Sequence, residues 1–370
     1  MNWSEWLVND DGSILIRIQL ISRHFVALIL YSLCTAGNYG FRDPAIPLQA
    51  TDAPEQPSKK RHRILWGFLY VGIFIAVFTL SAAIKLVSNP LGDDFSVVWN
   101  DSVGTVYADI PYGDGDANKF DLYVPADRSR QHYGLVVYLH SGGFTSGDKA
   151  DDARTLHWLC AQGYVAAGIN YTLFSEQHPG ANILTQSLEI KESMDAVVAE
   201  AAKLGYPVNE MAIGGGSAGV CLALLFAYRD AAESPVPVRF VFEAVGPSSF
   251  YPEDWGNYGL DKPEAQAEAA GLFGVMTGAK LTPDMFGTPA YDAAVKDASA
   301  LLWVTKDAVP TVMAYGTHDT MQPFKASVRL DRALTENGVP TTTLWRSTRA
   351  TGSRTTAQSI GNTSKRCWST

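Results

Sequence analysis

The chain has 370 residues, of which 46% are hydrophobic and 18% charged, enough apolar material for one large domain with an appendage. Its formal net charge is −9, which argues against nucleic acid as a partner, because phosphate binding needs clustered Lys and Arg. The four cysteines, Cys34, Cys160, Cys221 and Cys367, show no CxxC or Cys/His ligand spacing, so no metal site is expected and no organic cofactor is implied.

Residues 1–63 offer little chemistry. Segment 14–33 is apolar but carries Arg17, Arg23 and His24, which makes it a poor membrane span, and 44–58 is rich in Pro, Ala and polar residues and reads as a linker. Residues 64–84 then run without a charge, and at about 1.5 Å per residue a helix of that length matches a bilayer core. The basic run Lys59-Lys60-Arg61-His62-Arg63 precedes it and a single Lys85 follows. This asymmetry predicts a signal anchor over 64–87, a cytoplasmic, partly disordered 1–63 and an extracytoplasmic remainder. A buried core helix and a cleaved signal peptide, with Ser81-Ala82-Ala83 as its only cleavage candidate, are the rival readings. If the true start lies near Lys59, the apolar run becomes N-terminal, as an anchor of this type requires.

From about residue 95 onward, β-rich runs alternate with helical patterns. The strands fall at 119–124, 135–140, 164–170, 211–214, 238–244 and 311–316, with helices near 152–162, 184–204, 218–230 and 325–337. That alternation predicts an α/β domain over 95–344, with a mostly parallel central sheet covered by helices on both faces. Cys160 and Cys221 fall in apolar helical patterns and read as buried thiols. Residues 250–300, rich in Ala, Gly and Pro, read as a cap between two strands. In such sheets a site forms at the carboxyl ends of the strands.

Three motifs fall at those ends. Gly215-Gly216-Ser217-Ala218-Gly219 matches G-x-S-x-G, preceded by an apolar strand and followed by an apolar helix. That is the setting in which a serine is lifted into a tight bend, with Gly215 and Gly219 letting strand and helix approach. The plain alternatives are a Gly-rich strand-to-helix turn or a phosphate loop; no Lys-Ser/Thr follows, which removes the latter. His140-Ser141-Gly142-Gly143-Phe144, continuing to Gly147-Asp148-Lys149, has glycines that expose backbone N–H groups. Gly142, Gly143 and the N–H of Ala218 are the expected donors to a substrate oxyanion. Gly316-Thr317-His318-Asp319 follows an apolar strand and offers Asp319 as the acid of a triad. A solvated turn Asp is the bland reading, and His318, adjacent in sequence, is a poor partner for Asp319.

The order and spacing of Asp121-Leu122-Tyr123-Val124-Pro125 and these three motifs resemble the carboxylesterase/acetylesterase branch of the α/β-hydrolases, the group related to hormone-sensitive lipase and to bacterial feruloyl and acetyl-xylan esterases. The resemblance covers about 119–344. It implies an α/β-hydrolase fold, a small-molecule ester as substrate, Ser217 as nucleophile, Asp319 as orienting acid and His140 as a structural member of its loop. Ser141 departs from the longest form of the motif, which has Gly there.

The resemblance also implies a catalytic His some 25–40 residues beyond the acid. The seven histidines are His24, His62, His132, His140, His157, His178 and His318; none follows Asp319. Loss of a triad member can cost roughly 10⁶ in turnover, so an impaired enzyme is expected from this sequence. After Leu344 the chain turns to Ser, Thr and Arg with no strand or helix period. Reading each codon's third base with the next codon's first two, 349–353 permit Gly-His-Gly-Leu, and the end of the chain permits an amphipathic helix. A shifted reading frame near 345 and a natural disordered tail over 345–370 are the two readings. Two rival functions stand beside the esterase: a catalytically silent, membrane-tethered binding module, and a serine peptidase of the prolyl-oligopeptidase type, whose large propeller domain has no room here.

Overall fold

A computed structural model describes residues 97–319 and 321–346. The expected anchor at 64–87, the region before it and the tail from 347 lie outside the described residues. Among the described residues no helix is long and apolar enough to cross a membrane.

Eight strands form one sheet: β1 (Gly104–Pro111), β2 (Lys119–Pro125), β3 (Tyr133–Leu139), β4 (Val165–Ile169), β5 (Val208–Gly216), β6 (Val238–Ala244), β7 (Thr311–Gly316) and β8 (Thr341–Arg346). Their spatial order is β1-β2-β4-β3-β5-β6-β7-β8. β2 runs antiparallel to both neighbours, and every pairing from β4 to β8 is parallel. The central parallel strands bury apolar residues on both faces because both faces are covered; all five residues of β4 and all six of β7 are buried.

The helices follow from the same logic. On one face lie α2 (Ile183–Lys203) and α3 (Ala218–Leu225), packed on Leu135, Val137, Met211, Ile213 and Met313. On the other, α1 (Ala153–Ala161) sets Leu156, Leu159 and Cys160 against Val136, Ala166, Ala212 and Phe240. A reciprocal Asn182–Thr185 capping box starts α2, satisfying two amides that the first turn leaves open. All eight residues of α3 are buried, as expected of a helix apolar on every side. Cys160 and Cys221 are buried free thiols, matching the bland reading of each. Between β6 and β7, where a cap is expected, lie short 3₁₀ turns with α4 (Gln266–Thr277) and α5 (Pro289–Val295). The last helix is α6 (Phe324–Glu336).

Three differences from the sequence reading have local causes. β1 escaped notice because only one of its eight residues is buried, so it lacks an apolar run. Its pairing makes it an antiparallel edge strand. The expected helix 218–230 is α-helical only to Leu225 and closes as a π turn over Phe226–Asp230. β8 extends to Arg346, two residues into the stretch read as an irregular tail.

Candidate active site

β5 lies at the middle of the sheet, between β3 and β6, and Ser217 follows its last residue. Its backbone has φ 51° and ψ −114°, a strained conformation for a residue with a side chain. Glycine makes the bend possible: a Cβ on Gly219 would lie 2.1 Å from the Leu139 carbonyl oxygen, and one on Gly215 would lie 2.5 Å from the same atom. The Ser217 N–H donates to the Val245 carbonyl at 2.9 Å. Ser217 is half-buried, and its Oγ accepts a hydrogen bond from Gln322 Nε2 at 3.0 Å. Ala218 opens α3, where the first amides have no intrahelical partner, so its N–H stands ready for an anion.

The loop after β3 is packed against this bend. A Cβ on Gly216 would sit 2.7 Å from Ser141 Oγ. Gly142 has φ 132°, Gly143 φ 60° and Phe144 φ 68°. The Gly142 carbonyl accepts from the N–H groups of Thr145 (3.2 Å) and Ser146 (3.0 Å), closing a tight turn. Nothing lies within 4 Å of where a Cβ of Gly143 would be, so that side of the loop is open. Gln186 Nε2 fastens the loop from α2, donating to the carbonyls of Phe144 (3.0 Å) and Thr172 (2.9 Å).

The Gly147-Asp148-Lys149 part of the motif is structural. Asp148 caps the next turn and accepts from Asn170 Nδ2 at 2.7 Å, while the Lys149 N–H donates to Asn170 Oδ1 at 2.7 Å. The buried Lys149 ammonium bridges Asp109 Oδ1 (2.8 Å) and Asp121 Oδ1 (3.1 Å), tying the loop to β1 and β2. His140 is buried, its ring stacked on Tyr171 with centroids 4.3 Å apart. Its Nδ1 lies 2.8 Å from the Ser141 carbonyl, which can only accept, so Nδ1 carries the proton. Burial holds its pKa below the usual histidine value. A neutral, stacked ring suits the structural role expected of it.

Asp319 follows β7 and is only 7% exposed. Its Oδ1 accepts from the N–H groups of Met321 (2.7 Å) and Gln322 (3.0 Å), whereas Oδ2 is buried without a partner among the described residues. Gln322 therefore joins the two expected residues, backbone to Asp319 and side chain to Ser217. His318 is exposed and pairs with Thr317 Oγ1 at 3.0 Å. Gln322 escaped the sequence reading because an amide three residues beyond an acid carries no signal; only the fold brings it to Ser217.

The sheet order, the strained serine between β5 and α3, and the acid beyond β7 define an α/β-hydrolase fold. The BD-FAE family model matches residues 120–334, more than half of the chain, and the chain belongs to that family. Among curated relatives it is similar to a probable isoprenylcysteine alpha-carbonyl methylesterase of rice (Oryza sativa subsp. japonica). Identity there is 23% over 238 residues, covering 63% of this chain and 55% of the relative. Kynurenine formamidase of Salmo salar is 26% identical over 121 residues, covering 33% and 38%. The chain thus spans about half or less of the length of these relatives. Among solved structures it resembles esterase B of Lactobacillus rhamnosis, with a TM-score of 0.53, 20% identity and coverage of 73% of this chain and 83% of that one. It also resembles the thermophilic esterase Est2 of Thermogutta terrifontis, with a TM-score of 0.53, 17% identity and coverage of 72% and 92%. At these identities the structural likeness is one of fold.

Proposed function

We propose that this chain carries the site of a serine ester hydrolase. In that reaction Ser217 Oγ attacks the ester carbonyl, its proton passes to a base, and the backbone N–H groups of Gly142, Gly143 and Ala218 hold the resulting oxyanion. Collapse expels the alcohol, which takes up the proton, and water then hydrolyses the acyl-serine. Asp319 is the acid that orients the base. The observation that carries the proposal is the strained φ of 51° at Ser217, beside a turn whose own backbone adopts positive φ at Gly142 and Gly143. Small acyl esters are the substrates that fit this reading, and esterases recur among the relatives.

Among the described residues no base meets Ser217 Oγ. Ser217 Oγ meets the Gln322 amide, which cannot take a proton, and Asp319 Oδ2 faces no donor among the described residues. Turnover by this sequence is therefore severely impaired. We attribute the gap to a shifted reading frame near 345, and we assign 64–87 as a membrane anchor that places the enzyme outside the cytoplasm. The Gln322–Ser217 bond also favours a second reading, a silent hydrolase fold that only binds. Hydrolysis of p-nitrophenyl acetate and labelling by a fluorophosphonate, measured on this chain and on a version with the tail restored, separate the two. Labelling of Ser217 after restoration supports the enzyme; no labelling of either form supports the binding module.

A further inference from the structure

We propose that Glu243 is a neutral carboxylic acid that positions the Ser217 bend through Tyr315 and the turn at Val245–Gly246. Glu243 lies on β6, directly beside Gly215 of β5, and is fully buried. Its Oε2 lies 3.2 Å from Tyr315 Oη. The same hydroxyl lies 2.5 Å from the Gly246 carbonyl and accepts from the Gly246 N–H at 3.1 Å.

A phenol has one proton and two lone pairs. The Gly246 N–H takes one lone pair. The Gly246 carbonyl can only accept, and as the shorter contact it takes the proton. The remaining lone pair of Tyr315 Oη faces Glu243 Oε2, and this contact is a hydrogen bond only if the carboxyl brings its own proton. The other oxygen, Oε1, is buried with no partner among the described residues, which an anion tolerates far less than a carbonyl.

Among the described residues no cation offsets the charge. The titratable groups that face Glu243 are Tyr315 on β7, Cys221 on α3 and Tyr228 on the π turn; burial raises the pKa of each, so all are neutral. Arg229 is engaged by Asp230 at 2.7 Å. Burial accordingly pushes the Glu243 carboxyl up to about 8.

The turn that Tyr315 holds is the one that receives Ser217. Val245 has φ 52°, unfavourable for a β-branched residue, and its carbonyl accepts the Ser217 N–H. A Cβ on Gly246 would lie 2.5 Å from the Ser217 carbonyl oxygen. Two strained backbones thus lean on each other, and the Glu243–Tyr315 pair braces one of them. Ionisation of Glu243 removes a donor from Tyr315 Oη and puts a bare charge under the bend. Glu243 is a positioning residue; its effect on catalysis rests on Ser217 being the nucleophile, but its effect on the bend does not.

Infrared spectroscopy of the full chain with ¹³C-labelled glutamate reads the proton directly. The expected result is a protonated-carboxyl band at pH 6, lost with a midpoint near 8 and absent from Glu243→Gln. No such band in the parent at pH 6 overturns the proposal, whether or not the variant folds. The bend is read by iodoacetamide alkylation of Ser217→Cys against Ser217→Cys/Glu243→Gln. The two rates are expected to agree at pH 6 and to differ about threefold or more at pH 9, as the braced and ionised networks part. A constant ratio overturns the link to Ser217. Neither measurement requires Ser217 to be catalytic, so failure of the esterase reading is visible separately as absent fluorophosphonate labelling in a restored chain.

Discussion

Gln322 Nε2 donates to Ser217 Oγ at 3.0 Å across 105 positions of sequence, from the turn whose backbone also caps Asp319 Oδ1. The amide takes up the hydrogen-bonding position at Ser217 Oγ, and Asp319 Oδ2 stays buried with no partner among the described residues.

Added imidazole should therefore accelerate fluorophosphonate labelling of Ser217 in this chain, and Gln322→Ala should enlarge the effect by removing the amide that meets Ser217 Oγ. An acceleration of about tenfold is expected, a part of the roughly 10²–10⁴ that a positioned base supplies. Equal labelling with imidazole and with an inert salt, in both chains, would count against the Gln322 position as the place of the base.

Gly219→Ala should damage the bend without touching its chemistry. The added methyl would meet the Leu139 carbonyl oxygen at 2.1 Å, and strand and helix must separate to admit it. A loss of about 1–3 kcal/mol is expected from such overpacking, read as a lower urea midpoint with unchanged slope.

Lys149→Met should be costly although the residue is remote from Ser217. Its ammonium and the Asp121 carboxylate are both nearly inaccessible, at 7% and 8% side-chain exposure. Removing one partner strands the other charge, at about 3–5 kcal/mol. Asp109, 69% exposed, adds little to that. Chemical denaturation of the two proteins checks the figure, and Lys149→Met/Asp121→Asn should recover part of the loss.

Stability also depends on pH through Asp152. Burial, with Asp151 nearby, raises the Asp152 carboxyl to about 7 from 3.8. The folded chain then keeps a proton that the unfolded chain releases, so stability falls as pH rises from about 4 through 7 and flattens above. Asp152→Asn should remove a slope of at most about 1.4 kcal/mol per pH unit. A melting curve series whose pH dependence is the same in parent and variant would refute this.

Sequencing the transcript across the codons near residue 345 tests the tail. A single-base discrepancy that restores Gly-His-Gly-Leu is the expected result; an unbroken frame excludes the shift.

Much of this was legible in one dimension because its causes are local. The bend at Ser217 needs glycine on both sides, and Gly215 and Gly219 announce it. The turn after β3 needs positive φ, and Gly142, Gly143 and Gly147 supply it. Strands β6 and β7 were read to the residue because their apolar runs end at sharp changes in composition. Long-range pairing left no such trace. Gln322 looks like any polar turn residue, and Glu243 looks like one acid in an apolar strand, a mark that flags burial without naming its partner.

The sequence by itself determined the class of fold, the place of the serine and its glycine-rich loop, and the absence of a histidine after Asp319. Those follow from backbone geometry and residue identity, which neighbours along the chain enforce. Only the tertiary structure decided which group meets Ser217 Oγ, which oxygen of Asp319 is left bare, and that Tyr315 ties Glu243 to the bend. Such contacts join strands far apart in sequence, and hydrogen-bond geometry, falling off within an ångström, is set only once the sheet has brought them together.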